Sequence, residues 1–200
     1  RAREPLQRAL ALAPQDPRWW HALGAVEQAG GRHEEAIAAF DRALEDAERA
    51  APEPDAADQA AGDEEPNAAA DQMPAGAWTG LQPALSLETR RLRARSLYRL
   101  GRLAEARADL EAALRDSAFR RADELYLLGR IAFEQRDTAA AKHALEAAVE
   151  AAPDHVQARL YLGRTLIALG QAQEAWGSYY ATRPQVMFGN IGFGHDQLAR

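Results

Sequence analysis

Alanines recur at Ala2, Ala36, Ala106, Ala141 and Ala175, separated by 34, 70, 35 and 34 residues, each inside the same local pattern. A period near 34 marks an array of one small unit whose copies bury surface against their neighbours, rather than a globule around a single core. Four residues after each alanine stands a large apolar group: Leu6, Phe40, Leu110, Leu145 or Tyr179. Three residues further a small one returns as Ala9, Ala43, Ala113, Ala148 or Thr182. Positions i, i+4 and i+7 share one helical face, so each unit offers a small-large-small stripe that lets a neighbouring backbone approach closely. Five residues before the alanine lies Gly31, Gly101 or Gly170, with Arg136 the exception, and a glycine there ends one helix and turns the chain. Leu23-Gly24, Leu128-Gly129 and Leu162-Gly163 fall in the middle of an earlier amphipathic helix. Each unit therefore reads as helix, tight turn, helix.

Trp20, Leu23 and Gly24, followed by Gly31, Ala36, Phe40 and Ala43, give a pattern that resembles the tetratricopeptide repeat (TPR). A later unit repeats it with Leu128-Gly129, Ala141, Leu145, Ala148 and Pro153, and the last with Leu162-Gly163, Gly170, Ala175 and Tyr179. The resemblance implies an all-α, right-handed superhelical solenoid of antiparallel helix pairs. Repeats are placed at 17–50, 87–121, 122–155 and 156–189, with an exit segment at 190–200. The second is divergent, because Arg93-Ala94 stands where the others have Leu-Gly. Residues 1–14, with Ala2, Leu6, Ala9 and Pro14, read as the second helix of a truncated earlier repeat, so the chain reads as a piece of something longer. Asp16 before Pro17 and Asp137 before Thr138 are helix N-cap signals.

The 70-residue gap between Ala36 and Ala106 is either two steps of the array or one repeat plus an insertion. Residues 51–86 hold eleven alanines, five prolines and seven acidic residues without one Lys or Arg, which favours an acidic Ala/Pro-rich insertion expected to be disordered. A divergent hidden repeat is the rival reading of that stretch. Trp78, Leu81 and Leu85 are its large apolar residues, expected to dock beside the second repeat. With a net charge of −6 for the chain and −7 for the insertion, the loop is a candidate internal competitor for basic side chains, against the plainer reading of a solvated loop.

Other features narrow the chemistry. Zero cysteines remove disulfides, thiolate catalysis and cysteine-ligated zinc. No two histidines stand three or four residues apart, so no metal is expected, and no cofactor. There is no Gly-Lys-Ser/Thr loop or Gly-x-Ser-x-Gly, and Gly189-Asn190-Ile191-Gly192-Phe193-Gly194 lacks the preceding strand a nucleotide loop needs. Arginines dispersed among carboxylates in an acidic chain argue against nucleic acid. No apolar run approaches the ~18 residues needed to span a bilayer, and the compartment, cytoplasmic or periplasmic, stays open. The basic residues are 23 arginines and Lys142, a bias that with the alanine excess suggests a GC-rich bacterial genome.

Function is expected on the surface the array presents. The resemblance implies that the first helix of each repeat lines a concave groove that holds peptides. One column of those helices gives Ala25, Arg95, Arg130 and Arg164, and the column one turn earlier gives His21, Arg91, Tyr126 and Leu160; Tyr98, Phe133 and Tyr161 share the same helices. Arginine forks match carboxylates, and neighbouring aromatics add stacking. The candidate site is therefore Arg91, Arg95, Tyr98, Tyr126, Arg130, Phe133, Tyr161 and Arg164, and the ligand an acidic or C-terminally carboxylated peptide or partner protein. The plainer reading leaves the groove solvated and gives the aromatics to helix packing. The two-carboxylate clamp of chaperone-binding TPR domains is not matched, since it uses lysines and asparagines. No catalysis is expected of the chain. The alternative is a regulatory or substrate-positioning arm of a larger bacterial enzyme such as a glycosyltransferase, and a third reading is self-association through the end repeats.

Overall fold

Among the described residues, four hairpin corners share one backbone conformation. Gly31, Gly101 and Gly170 have φ of 75°, 76° and 76°, and Arg136, where the column lacks glycine, has φ of 63°. In each corner the next residue's amide donates back across five residues, from Arg32 to Glu27, Arg102 to Leu97, Asp137 to Ala132 and Gln171 to Leu166. The corner amide itself donates across three, and together these bonds satisfy carbonyls that a helix end would leave open. Glycine enters this left-handed region freely, whereas Arg136 takes it at a cost of roughly 1 kcal/mol.

The computed structural model describes residues 3–49, 82–116 and 121–180, and every regular element among them is a helix. The chain divides into two units, Arg1–Ser117 and Ala118–Arg200. The first holds α1 (Arg3–Leu12), α2 (Pro17–Ala29), α3 (His33–Arg49), α4 (Gln82–Arg99) and α5 (Leu103–Asp116). The second holds α6 (Ala122–Glu134), α7 (Thr138–Ala151), α8 (Val156–Ala168) and α9 (Ala172–Tyr180). Within the first unit each helix packs on the next, and α4 also touches α2; within the second the same rule holds, and α8 also touches α6. Successive hairpins thus stack with their first helices adjacent, the arrangement of an all-α TPR-like solenoid.

The repeating stripe is the core. Ala36, Phe40 and Ala43, Ala106, Leu110 and Ala113, Ala141, Leu145 and Ala148, and Ala175 are each no more than 2% exposed. The glycines of the first helices exist because these large residues come so close. A Cβ on Gly24 would lie 2.5 Å from the Phe40 ring, and one on Gly129 would lie 2.5 Å from Leu145 Cγ. Asp16 caps α2 by accepting from the Arg18 amide at 3.0 Å, with Pro17 opening the helix, and Asp137 caps α7 by accepting from the Ala140 amide at 3.1 Å. The Arg18 guanidinium holds the Asp16 carboxyl below its ordinary range by hydrogen bonding.

The divergent repeat solves its substitution with charge. Arg93 forks onto Asp109 of α5 at 2.7 and 2.5 Å and reaches Asp41 of α3 at 2.5 Å, so one guanidinium ties three helices. Burial works against that charge, but the bonds to Asp109 and Asp41 outweigh it and raise the Arg93 pKa above the ordinary arginine value. Where the other repeats place a leucine, this one places a half-buried arginine paired with the buried Asp109.

One difference from the sequence reading concerns the segment between α3 and α4. The insertion was expected to run to Ser86 and the repeat to open at Leu87, yet α4 begins at Gln82. Pro83 suits the first helical turn, and Thr89 Oγ1 donates to the Leu85 carbonyl at 2.7 Å within the helix. Trp78, Leu81, the remaining acidic stretch with its competitor role, and the glycine-rich segment after Tyr180 lie outside the described residues.

Candidate functional site

In the second unit, Tyr126, Arg130 and Phe133 fall at i, i+4 and i+7 of α6, on one face, and α8 sets Tyr161 and Arg164 against it. Tyr161 is the hub. Its ring meets Tyr126 edge-on at 5.6 Å between centroids and Phe133 edge-on at 6.0 Å, geometries that aromatic quadrupoles favour. The Arg130 guanidinium lies 5.4 Å from the same centroid and that of Arg164 5.3 Å. Two cations and three rings are therefore gathered by two helices, and the aromatics pack α6 against α8.

The two arginines differ. Arg130 Nε donates to Glu134 Oε1 at 3.1 Å, one helical turn on. Burial opposes its charge, yet hydrogen bonds to Tyr126 and Glu134 prevail and hold its pKa above the ordinary arginine value. Arg164 is exposed, with its guanidinium over the tyrosine. Arg130 thus braces the tyrosine from within, and Arg164 is the cation that solvent and solutes meet. A carboxylate approaching Tyr161 would find Arg164's donors in reach and a second positive charge behind them.

His155 completes the strip. Its Nδ1 accepts the Ala158 amide at 3.1 Å, capping α8 with an imidazole, so the ring proton sits on Nε2, which donates to Asp123 Oδ1 at 3.1 Å. The ring also lies 5.1 Å from Tyr126, which makes a continuous run of His155, Tyr126, Tyr161 and Phe133. Sequence reasoning weighed His155 only as a metal ligand. Its place one residue before Val156, at a helix start, was the available signal for a cap. Glu134 was missed as well, although its spacing from Arg130 marks an i, i+4 pair.

The other three candidates belong to the first unit. Arg91 is 6% exposed, with Nη1 at 3.3 Å from Glu88 Oε2, so it is packed inside rather than offered to solvent. Arg95 is exposed and Tyr98 half-buried on the same helix. Around them α2 and α4 are joined by polar bonds: Gln28 Nε2 donates to the Leu92 carbonyl at 2.7 Å and to Ser96 Oγ at 2.8 Å. His21 Nδ1 lies 2.8 Å from Thr89 Oγ1. Because the threonine hydrogen goes to Leu85, the histidine must be the donor in that contact. Burial holds the His21 pKa below its ordinary value, against the opposing charge of Glu88. Of the arginine column, the structure brings Arg130 and Arg164 to one ring, and Arg95 stands on α4 of the other unit.

Among the described residues no group of three His, Asp or Glu side chains is placed to hold a metal ion, and no helix is long and apolar enough to cross a membrane.

Stacked helix hairpins define a helical-repeat protein. The chain belongs to the tetratricopeptide repeat family, whose model matches residues 1–54 and 126–185, more than half its length. Among solved structures it is similar to YrrB, described as a TPR protein with an unusual peptide-binding site, at 19% identity and a TM-score of 0.65, covering 90% of this chain and 74% of that one. It is similar to MamA from Desulfovibrio magneticus RS-1 at 15% identity and a TM-score of 0.69, covering 95% and 86%. It is also similar to the Rap conjugation gene regulator of plasmid pLS20, solved in complex with a peptide, at 15% identity and a TM-score of 0.55, covering 86% of this chain and 42% of that one. No curated protein sequence matches the chain.

Proposed function

We propose that the chain is a protein-interaction scaffold whose α6–α8 face binds a short acidic segment of a partner, with Arg164 as the principal carboxylate acceptor. The observation that carries this reading is the pair of guanidiniums at 5.3 and 5.4 Å from the Tyr161 ring, one exposed and one braced by Glu134. The rings beside Arg164 offer flat apolar surface for the residue next to the acid, and Arg130 on the same ring adds a second guanidinium. YrrB is described with a peptide-binding site and the Rap regulator was solved with a peptide, which supports a peptide as the ligand class.

The test is fluorescence anisotropy with a labelled Asp/Glu-rich decapeptide and its Asn/Gln counterpart. The acidic peptide should bind more tightly, weaken with added salt, and lose at least about tenfold in affinity on Arg164→Glu. Equal binding of the two peptides, or an unchanged affinity in the variant, would refute the reading.

A further inference from the structure

One column of the first helices changes chemistry in a single hairpin. Four residues before the corner stand Leu97, Ala132 and Leu166, all buried and apolar, whereas the α2–α3 hairpin has Glu27 there, 2% exposed. A buried carboxylate in an apolar column is poorly explained by stability, since an apolar residue packs there as well or better. Two guanidiniums answer it. Arg32, in the corner, donates from Nε to Glu27 Oε2, and its amide donates to the Glu27 carbonyl at 3.0 Å. Arg3 of α1 brings its Nε to 3.0 Å from Glu27 Oε1, an ion pair whose N–H is not aligned for a hydrogen bond.

The corner is shaped around Arg32. Gly30 has φ of −81°, a conformation open to any residue, so its bare Cα serves space rather than backbone freedom. A Cβ there would lie 2.9 Å from Arg32 Nη1 and 3.0 Å from Cζ and Nη2, so the guanidinium rests on the glycine. The other corners carry Leu100, Gln135 and Leu169 at this place. Both arginines meet Glu27 through Nε, and their Nη groups have no hydrogen-bond partner among the described residues. Their side chains are 53% and 42% exposed. Glu34 and Glu35, which open α3 beside Arg32, make no ion pair with it among the described residues. One carboxylate against two guanidiniums leaves a net positive charge at the surface.

We infer that Arg3 and Arg32 form a binding site for a phosphate dianion, held by the Nη groups that Glu27 leaves facing solvent. One guanidinium fork satisfies the two oxygens of a carboxylate, whereas two forks gathered on one buried acid supply donors for the three or more oxygens of a phosphate. Glu27 sets the place of both forks, and Gly30 makes room for one of them. The shared chemistry covers inorganic phosphate and a phosphate ester on a partner chain. The site lies within the first unit and is independent of the Arg164 face of the second.

The experiment titrates the isotope-labelled 200-residue chain with inorganic phosphate and with a Gly/Ser decapeptide carrying one phosphoserine, beside the same peptide with serine or glutamate in its place. Saturable shifts are expected at the Arg32 Nε–H and the Gly30 amide with both phosphates. Affinity should fall about tenfold on Arg32→Gln, and about threefold on Gly30→Ala, which changes no charge and does not lower the melting temperature. Gln171 holds the corresponding corner position in the last hairpin, so glutamine suits that backbone. Tighter binding of the phosphopeptide than of inorganic phosphate assigns the site to an ester, and equal binding assigns it to the free ion; either supports the inference. Three results overturn it: the glutamate peptide binding as well as the phosphoserine one, an affinity unmoved by both variants, or a loss of phosphate binding on Arg164→Glu, which would place the anion on the second unit.

Discussion

Gly129→Ala isolates the closest approach in the second unit. An added Cβ would lie 2.5 Å from Leu145 Cγ, 2.9 Å from Cδ2 and 3.2 Å from the Leu145 backbone nitrogen. Ordinary carbon contacts need about 3.5 Å or more, so a rotamer change alone does not clear the methyl, and α6 and α7 must part by about 1 Å. Overpacking of this kind costs about 1–3 kcal/mol and more where backbone has to move, while alanine returns about 1 kcal/mol of helix propensity. The net expectation is a loss of about 2 kcal/mol. Ala94, buried in the first unit at the position aligned with Gly129, shows that a hairpin can be built around alanine here, which keeps the figure from being larger. The decisive arm is the sign in a second background. Leu145→Ala alone costs about 2–5 kcal/mol through the cavity it leaves, and there the same Gly129→Ala change fills space and gains propensity, so it should stabilise by about 1 kcal/mol. Urea unfolding followed by circular dichroism on the four proteins measures the cycle. A destabilisation of equal size in both backgrounds, or none in the wild type, would refute the packing argument.

Arg136→Gly should stabilise by about 1 kcal/mol, since the corner conformation at φ 63° suits glycine and strains arginine; a thermal melt that falls instead would contradict the strain. Arg93→Leu alone should destabilise the first unit by about 3 kcal/mol by leaving buried Asp109 with only Arg90 at 4.0 Å to offset its charge, and adding Asp109→Leu should restore most of that, as chemical denaturation will show. His21 has a folded pKa below its unfolded value near 6.5, so the native state binds fewer protons there. Its contribution is complete above that value and is lost as the pH falls through it toward the folded value, so His21→Asn should flatten the decline in melting temperature between pH 7.5 and 5.5 relative to wild type.

The stripe of alanines and large apolar residues was legible because burial repeats every turn: Ala106, Leu110 and Ala113 are all inaccessible, as their spacing requires. The corners were legible through glycine, and Arg136 was legible only by alignment with its column, since no propensity scale puts arginine at positive φ. The start of α4 was missed because Gln82, Pro83 and Ala84 carry the composition of the insertion, whereas the hydrogen bonds that commit them to a helix lie downstream. At the candidate site the spacing of Tyr126, Arg130 and Phe133 placed them on one face. It did not reveal that Arg91 turns inward to Glu88, or that Arg130 answers to Glu134, because both depend on which neighbour each long side chain finds. His155 escaped because its role is made by one ring nitrogen and one backbone amide, a relation with no periodic trace.

The left-handed corner repeats the same main-chain bonds in each described hairpin, with glycine or with arginine in place. Interhelical angle and outward side chains are consequently inherited as separate properties. Drift can rewrite every residue a guest touches while the joint beneath keeps its bend, and a laboratory graft of foreign contact residues onto α6 and α8 inherits that same tolerance.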